Sequence, residues 1–394
     1  MNNQKVFSLY IHIPFCLSKC TYCDFFSIKC SNQKGIPSAY VSSLINEIKY
    51  RIKEYGSNKC KSVYIGGGTP SLLSKSQFEE IFNFLKENLD FINNFEFTVE
   101  LNPDDITKEL LDFLNDSPVT RLSVGIQSLD NKVLEYVKRR AGAKENLNAI
   151  ELIKKHWKKE ISYDLISALP FEQDKAFLKN LKFICKQKPH HISMYSLTVE
   201  DETPLGKEIN SESLFYDFER ADSMWLKGKK LLEKKGYKQY EISNFCLKKH
   251  ECLHNLTYWN HEDYIGSGSG GTGTVYNPDG SGKRWTNTQD IERYILTWKE
   301  DKPDTCDFET VEIIDKDTSM FEFFMMGLRK TKGVTNNQFK NIFNMDIPFK
   351  VQQLFKNWQK KKLSVIKKEK DDTRYYLNSK GLLFLNQFLE QMEL

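Results

Sequence analysis

The 394-residue chain is long enough for a sizeable buried core, as about two to three domains or as one barrel-sized domain with an appendage. Its 57 Lys and Arg against 53 Asp and Glu leave a net charge of +4, which gives no electrostatic ground for nucleic acid as the main partner. No apolar run approaches membrane-spanning length, no charged leader opens the sequence, and the nine cysteines are odd in number and unevenly spaced, so the expectation is a cytoplasmic protein with reduced thiols.

Six short β-rich runs alternate with longer stretches of helical periodicity: "FSLYIHI" (7–13), "SVYIGG" (62–67), "FEFTVEL" (95–101), "RLSVGIQ" (121–127), "SYDLISAL" (162–169) and "HISMYSL" (191–197). Helices are predicted near 38–55, 75–90, 106–115, 130–157 with a break near Gly142, and 174–187. The sum is an α/β chain with a (β/α)6 pattern, a partial TIM-like barrel. A further helix over 213–236 leads into "YEISNF" (240–245) and an aromatic, Gly-rich stretch to about 290. From 315 the pattern changes to short helices, two β-like runs around a polar turn and a final amphipathic helix, which reads as a small winged-helix-like domain over 315–394. The basic clusters at 154–159 and 227–235 fall in helical patterns and read as solvated faces.

In parallel barrels the loops after the strand C-termini carry the chemistry. Here those positions hold Cys16, Cys20 and Cys23, then "GGGTPS", Glu100 and Gln127, with Asp164 inside the fifth run. Thiolates bind soft metals, and Cys-x3-Cys-x2-Cys lets three sulfurs from one loop serve one centre. A structural zinc needs four protein ligands, for which Cys30 is the nearest candidate; a [4Fe-4S] cluster on three cysteines leaves one iron open to an external ligand.

This spacing, with Tyr22 before the last cysteine and a glycine run after the second strand, resembles the radical S-adenosylmethionine (SAM) enzymes. The resemblance implies that SAM chelates the open iron and is cleaved by one electron to a 5′-deoxyadenosyl radical. The motifs "LYIHIPFC", "YIGGGTPS", "ELNP", "RLSVGIQS", "HISMYSLTVE" and "YEISNF" resemble one subgroup over roughly residues 7–290: the oxygen-independent coproporphyrinogen III oxidases and the HemW-like heme chaperones. By position it implies that Tyr10, Tyr22, Gly67, Gly68, Thr69, Glu100, Gln127, Arg139 and Asp164 contact SAM or its cluster. Glu100 suits ribose hydroxyls, and Arg139 or Gln127 suits a carboxylate.

The run "HNLTYW" (254–259) resembles the heme-associated motif of the chaperone branch, implying heme contacts from His254, Tyr258 and Trp259. The alternative for the same residues is an aromatic cluster closing the barrel mouth, with His254 satisfied internally. The near absence of sequence before the first strand and the "DF" after Cys23 also lean toward that branch. Three positions depart from its pattern: Ala141 and Thr272 stand where a His is expected, and Ala168 where a Gly is expected.

The expected division is a radical SAM core over 1–210, a barrel-closing and heme-binding region over 211–314, and the C-terminal domain. The implied role is a heme chaperone delivering heme to apo-hemoproteins, membrane respiratory proteins among them. A flavodoxin or ferredoxin would supply electrons, and the reading leaves room for a homodimer. Oxidative decarboxylation of a porphyrinogen, or another radical SAM reaction, is the enzymatic alternative.

Overall fold

The computed structural model describes residues 5–30, 35–300, 303 and 308–394. All six β-rich runs become neighbouring parallel strands: β1 (Val6–Ile13), β2 (Lys59–Gly67), β3 (Asp90–Leu101), β4 (Arg121–Gln127), β5 (Glu160–Ser167) and β6 (His191–Ser196). Between them run α1 (Ser38–Tyr55), α2 (Lys75–Asn88), α3 (Lys108–Asn115), α4 (Asn131–Tyr136), α5 (Ala143–His156) and α6 (Asp174–Lys186). The break predicted near Gly142 is real, since Gly142 is the N-cap of α5.

Alternation along each strand decides what this barrel contains. Phe7, Leu9, Ile11 and Ile13 of β1, Val63 and Ile65 of β2, and Phe97 and Val99 of β3 lie in the core shared with the helices, each 0% exposed. The intervening residues face the other way, into the barrel, and they are polar: Ser8 and His12, Ser62 and Tyr64, Glu96 and Glu100. On β4 to β6 the inward positions are Arg121, Ser123, Ser162, Asp164, His191 and Ser193. A parallel sheet covered on both sides normally reads as a continuous apolar run. Here the polar inward set marks a lumen built for chemistry.

After β6 come α7 (Pro204–Asn210) and α8 (Phe218–Lys234), and then β7 (Lys238–Gln239), β8 (Asn244–Cys246), α9 (Leu253–Trp259), β9 (Tyr264–Ser267), β10 (Thr272–Tyr276), β11 (Gly282–Asn287), α10 (Ile291–Thr297) and β12 (Glu309–Ile314). The predicted helix over 213–236 starts later because the Asp217 side chain accepts from the Arg220 N–H and caps α8. The sheet is also wider than six strands, with order β12-β11-β10-β9-β1-β2-β3-β4-β5-β6-β8-β7. β9 adds a seventh parallel strand beside β1, while β10 to β12, β8 and β7 pair antiparallel. The β11–β12 side is tied to α1 by Arg51, buried at 2% exposure between Glu47, Glu309 and Asn287, with its guanidinium 4.7 Å from the Trp285 ring centroid.

Residues 316–390 form α11 (Lys316–Gly327), β13 (Val334–Thr335), α12 (Asn336–Phe343), α13 (Phe349–Lys360), β14 (Ser364–Lys368), β15 (Thr373–Leu377) and α14 (Leu385–Glu390). The three strands pair antiparallel in the order β13-β15-β14, the helix-and-hairpin arrangement of a winged helix. A separate apolar cluster around Phe323, Phe339, Phe355 and Phe388 fills this part.

Candidate functional site

The C-terminal ends of β2 to β6 and the loop after β1 enclose a cavity of about 420 Å³. Cys16, Cys20 and Cys23 line it, as do Tyr22, Gly67, Gly68, Thr69, Glu100, Gln127, Arg139 and Asp164, so the structure brings together residues 148 positions apart in sequence order from Cys16 to Asp164.

The thiol side of the cavity carries hydrogen-bond donors aimed at sulfur. Thr69 donates its hydroxyl to Cys16 Sγ at 3.4 Å, and Arg139 Nη1 approaches Cys20 Sγ at 3.8 Å. Arg139 Nη2 donates to the Gly125 carbonyl at 2.6 Å, and its Nε is buried without a partner. Gly125 makes room for this, because a Cβ there would lie 2.7 Å from Arg139 Nη2. Burial pushes the Cys23 thiol up to about 11, so a proton stays on it until a soft metal takes its place. Among the described residues no three His, Cys, Asp or Glu side chains are gathered closely enough to hold a single metal ion.

Two carboxylates face the thiols. Glu100 accepts from the Tyr64 hydroxyl at 2.7 Å and from the Gly67 N–H at 3.2 Å. Burial, and after it the charge of Asp164, raises its pKa from 4.5 to about 7 against those hydrogen bonds. Asp164 accepts from Ser123 at 2.7 Å and from Ser162 at 3.1 Å, with Ser193 also bonded to it; burial still shifts its pKa upward. Gly67 has φ +110°, and a Cβ there would meet the His12 ring at 2.5 Å, so the turn after β2 requires glycine. Gln127 sits at φ +61° with its side-chain oxygen buried and unpartnered, a polar atom left over for something in the cavity.

Four of the predicted residues lie elsewhere. Tyr10 faces a second, more open space of about 400 Å³, lined also by His12, Phe25, Phe26, Tyr258 and Thr272. Its hydroxyl pairs with His12 Nδ1 at 2.9 Å. The expected heme trio does not share one cavity. Tyr258 reaches the second space, and Trp259 packs under Arg329, 5.4 Å from its ring centroid. His254 is 1% exposed, its Nδ1 3.0 Å from Ser62 Oγ and its Nε2 2.8 Å from Tyr258 Oη. Of the departures, Ala141 is buried, Thr272 pairs with Thr286 at 2.9 Å, and Ala168 adopts φ +63°, the region that favours the glycine expected there.

Sequence reasoning missed Tyr64, which holds Glu100, and the three serines around Asp164. The signal was present in strict alternation: Tyr64, Ser123, Ser162 and Ser193 all fall on inward positions of the strands whose outward positions are apolar.

A lumen that opens at the strand C-termini beside a three-cysteine loop is the architecture of the radical SAM superfamily, and that family's description matches residues 10–184. Among solved structures the chain is similar to coproporphyrinogen III oxidase (HemN) from Escherichia coli, with TM-score 0.79 and 19% identity over 98% of this chain and 90% of that one. Curated relatives include the heme chaperone HemW of Lactococcus lactis, 34% identical over 86% of each chain, and that of Buchnera aphidicola from Schizaphis graminum, 33% identical over 97% of each. The Escherichia coli HemW is 32% identical over 84% of this chain and 85% of that protein. The chain belongs to the HemW heme chaperone family within the radical SAM superfamily, a family defined by a [4Fe-4S] cluster and SAM.

Proposed function

We propose that the protein is a heme chaperone that holds a [4Fe-4S] cluster and SAM in the first cavity and passes heme to apo-hemoproteins. The observation that carries this reading is the convergence on one cavity of three thiols, two sulfur-directed donors and two carboxylates, in a chain of the HemW family. Cys16, Cys20 and Cys23 would hold the cluster; when bound, it supplies one-electron reduction of SAM. Arg139 and the unpartnered Gln127 oxygen suit the charged amino-acid end of SAM, Glu100 suits its ribose, and the glycines after β2 let backbone approach it closely. Tyr22, in the cysteine loop, covers the cluster side.

For heme, Tyr258 and the aromatic rings around the second space offer a flat apolar contact beside the first cavity, with Phe25 shared by both. His254 and Trp259 complete the motif-based set, but iron ligation by His254 would require its imidazole to give up Ser62 or Tyr258. The fuller reading places the protein in the cytoplasm, reduced by a flavodoxin or ferredoxin, and serving membrane respiratory acceptors. Among the described residues no helix is long and apolar enough to cross a membrane. An anaerobic hemin titration of cluster-reconstituted protein, followed at the Soret band, tests the proposal: saturable binding supports it. Absence of binding, with conversion of coproporphyrinogen III, would replace it with the oxidase reading.

A further inference from the structure

The lumen has a floor as well as a mouth. α9 closes the end opposite the cysteine loop: its N-cap Cys252 and its Leu253 and His254 groups all donate to Glu96, where β3 resumes its pairing with β2 opposite Ser62, and Thr257 meets Ser8 at 2.7 Å. His254 of this helix lies in the lumen against Ser62 and Tyr64 of β2. Ser62 and Tyr258 fix its two ring nitrogens, and Ser62 is itself anchored by Ser8 at 2.7 Å. The imidazole is therefore held in one orientation, and burial pushes its pKa down to about 3, so it stays neutral.

The flat face of that imidazole lies against Tyr64, with centroids 5.1 Å apart and planes at 29°. Tyr64 is confined elsewhere too: the Tyr10 ring stacks at 6.3 Å, and the backbone at Gly66 leaves so little room that a Cβ would lie 2.8 Å from Tyr64 Cε1. So confined, Tyr64 points its hydroxyl at Glu100 Oε1, 2.7 Å away, on the wall of the first cavity. His254 touches neither cavity, yet only one side chain separates it from a cavity carboxylate.

We infer that His254 is a positioning residue for the SAM cavity, acting through the ring of Tyr64 on the carboxylate of Glu100. The inference rests on the reading of the first cavity as a SAM site. It gives the aromatic helix α9 a task that its motif does not announce: the floor helix sets the position of a ligand-facing acid at the mouth. Without the imidazole, a void opens beside Tyr64, the ring settles into it, and the hydroxyl leaves Glu100.

The test is a double-mutant cycle on SAM affinity, measured anaerobically with cluster-reconstituted protein. His254→Ala is expected to weaken SAM binding by roughly 3- to 10-fold, the scale of one lost aromatic contact. Tyr64→Phe removes the hydroxyl and keeps the ring, and is expected to weaken SAM binding on its own. In the Tyr64→Phe background, His254→Ala is expected to cost little more, because the contact it supports is already gone. His254→Phe, which fills the space with a flat ring, is expected to retain most of the affinity and serves if the alanine variant does not fold. Full additivity of the two changes, an unaltered affinity in His254→Ala, or a His254→Phe protein that folds but has lost SAM binding would each overturn the inference. Wild-type protein that takes up iron but binds no SAM would instead overturn the SAM reading on which the inference rests.

Discussion

Tyr64→Phe probes the electrostatics of the cavity as well as its geometry. In the wild type, Glu100 is held near neutrality: burial raises its pKa to about 7, Asp164 pushes the same way, and the Tyr64 hydroxyl and Arg139 oppose them. Below that pH the folded protein retains a proton that the unfolded chain would release, so the stability associated with Glu100 is full below its ordinary pKa of 4.5 and falls as pH rises toward 7. SAM is a sulfonium cation, so its binding should strengthen as Glu100 ionises. The Tyr64 hydroxyl donates to the charged oxygen at 2.7 Å. A hydrogen bond to a charged acceptor contributes about 1.5–3 kcal/mol, which at about 1.4 kcal/mol per unit moves a pKa by roughly one to two units. The midpoint in a plot of SAM affinity against pH is therefore expected near 7 in the wild type and roughly one to two units higher in Tyr64→Phe. Glu100→Gln should abolish the step. Identical midpoints in the wild type and Tyr64→Phe, or a step that survives Glu100→Gln, would refute the reasoning.

Cys20→Ala should abolish the brown cluster absorbance while leaving the far-ultraviolet circular dichroism unchanged, because a strand-end loop can lose a ligand and keep the core beneath it. Retention of a full iron load in that variant would remove Cys20 from the cluster. Ala168→Gly should raise stability by about 1 kcal/mol in urea unfolding, since alanine at φ +63° bears a steric cost that glycine does not. A loss of stability would mean that the Ala168 methyl packs more favourably than the backbone strain costs. Arg51→Met leaves Glu47 buried without its cation and should destabilise the fold by about 3–5 kcal/mol in the same assay. The double change with Glu47→Gln should recover part of that loss.

The strands were legible because each carries β-branched and aromatic residues in a short run bounded by turn residues, and α1 was legible to its ends because Pro37 precedes it and Gly56, at φ +75°, stops it. The strands β9 to β11 were not. "YIGS", "TGTVY" and "GKRWTN" are short and rich in small or polar residues, and they become strands through pairing with β1 and with one another. The cavity residues were legible where a motif marked them and opaque where only facing did. Glu100 stands out as an acid at a strand end and Asp164 as an acid within a strand, whereas Tyr64 reads as one more aromatic in a strand. His254 shows the limit of motif reading most clearly. Nothing in "HNLTYW" tells whether the imidazole points outward to a ligand or upward into a lumen; its partners Ser62 and Tyr64 come from a strand nearly two hundred residues earlier in the chain. The C-terminal hairpin was visible from its two β-like runs, but β13, only two residues long, was not.

Heme transfer is the most direct test of the chaperone assignment. Protein loaded with one heme per chain would be mixed anaerobically with an excess of an apo-cytochrome, and the Soret and α-band spectra followed with and without SAM. The account predicts that the acceptor's heme spectrum appears at the expense of the donor's, faster than from free hemin under the same conditions. Heme that stays on the loaded protein, or reaches the acceptor no faster than free hemin, would contradict the assignment.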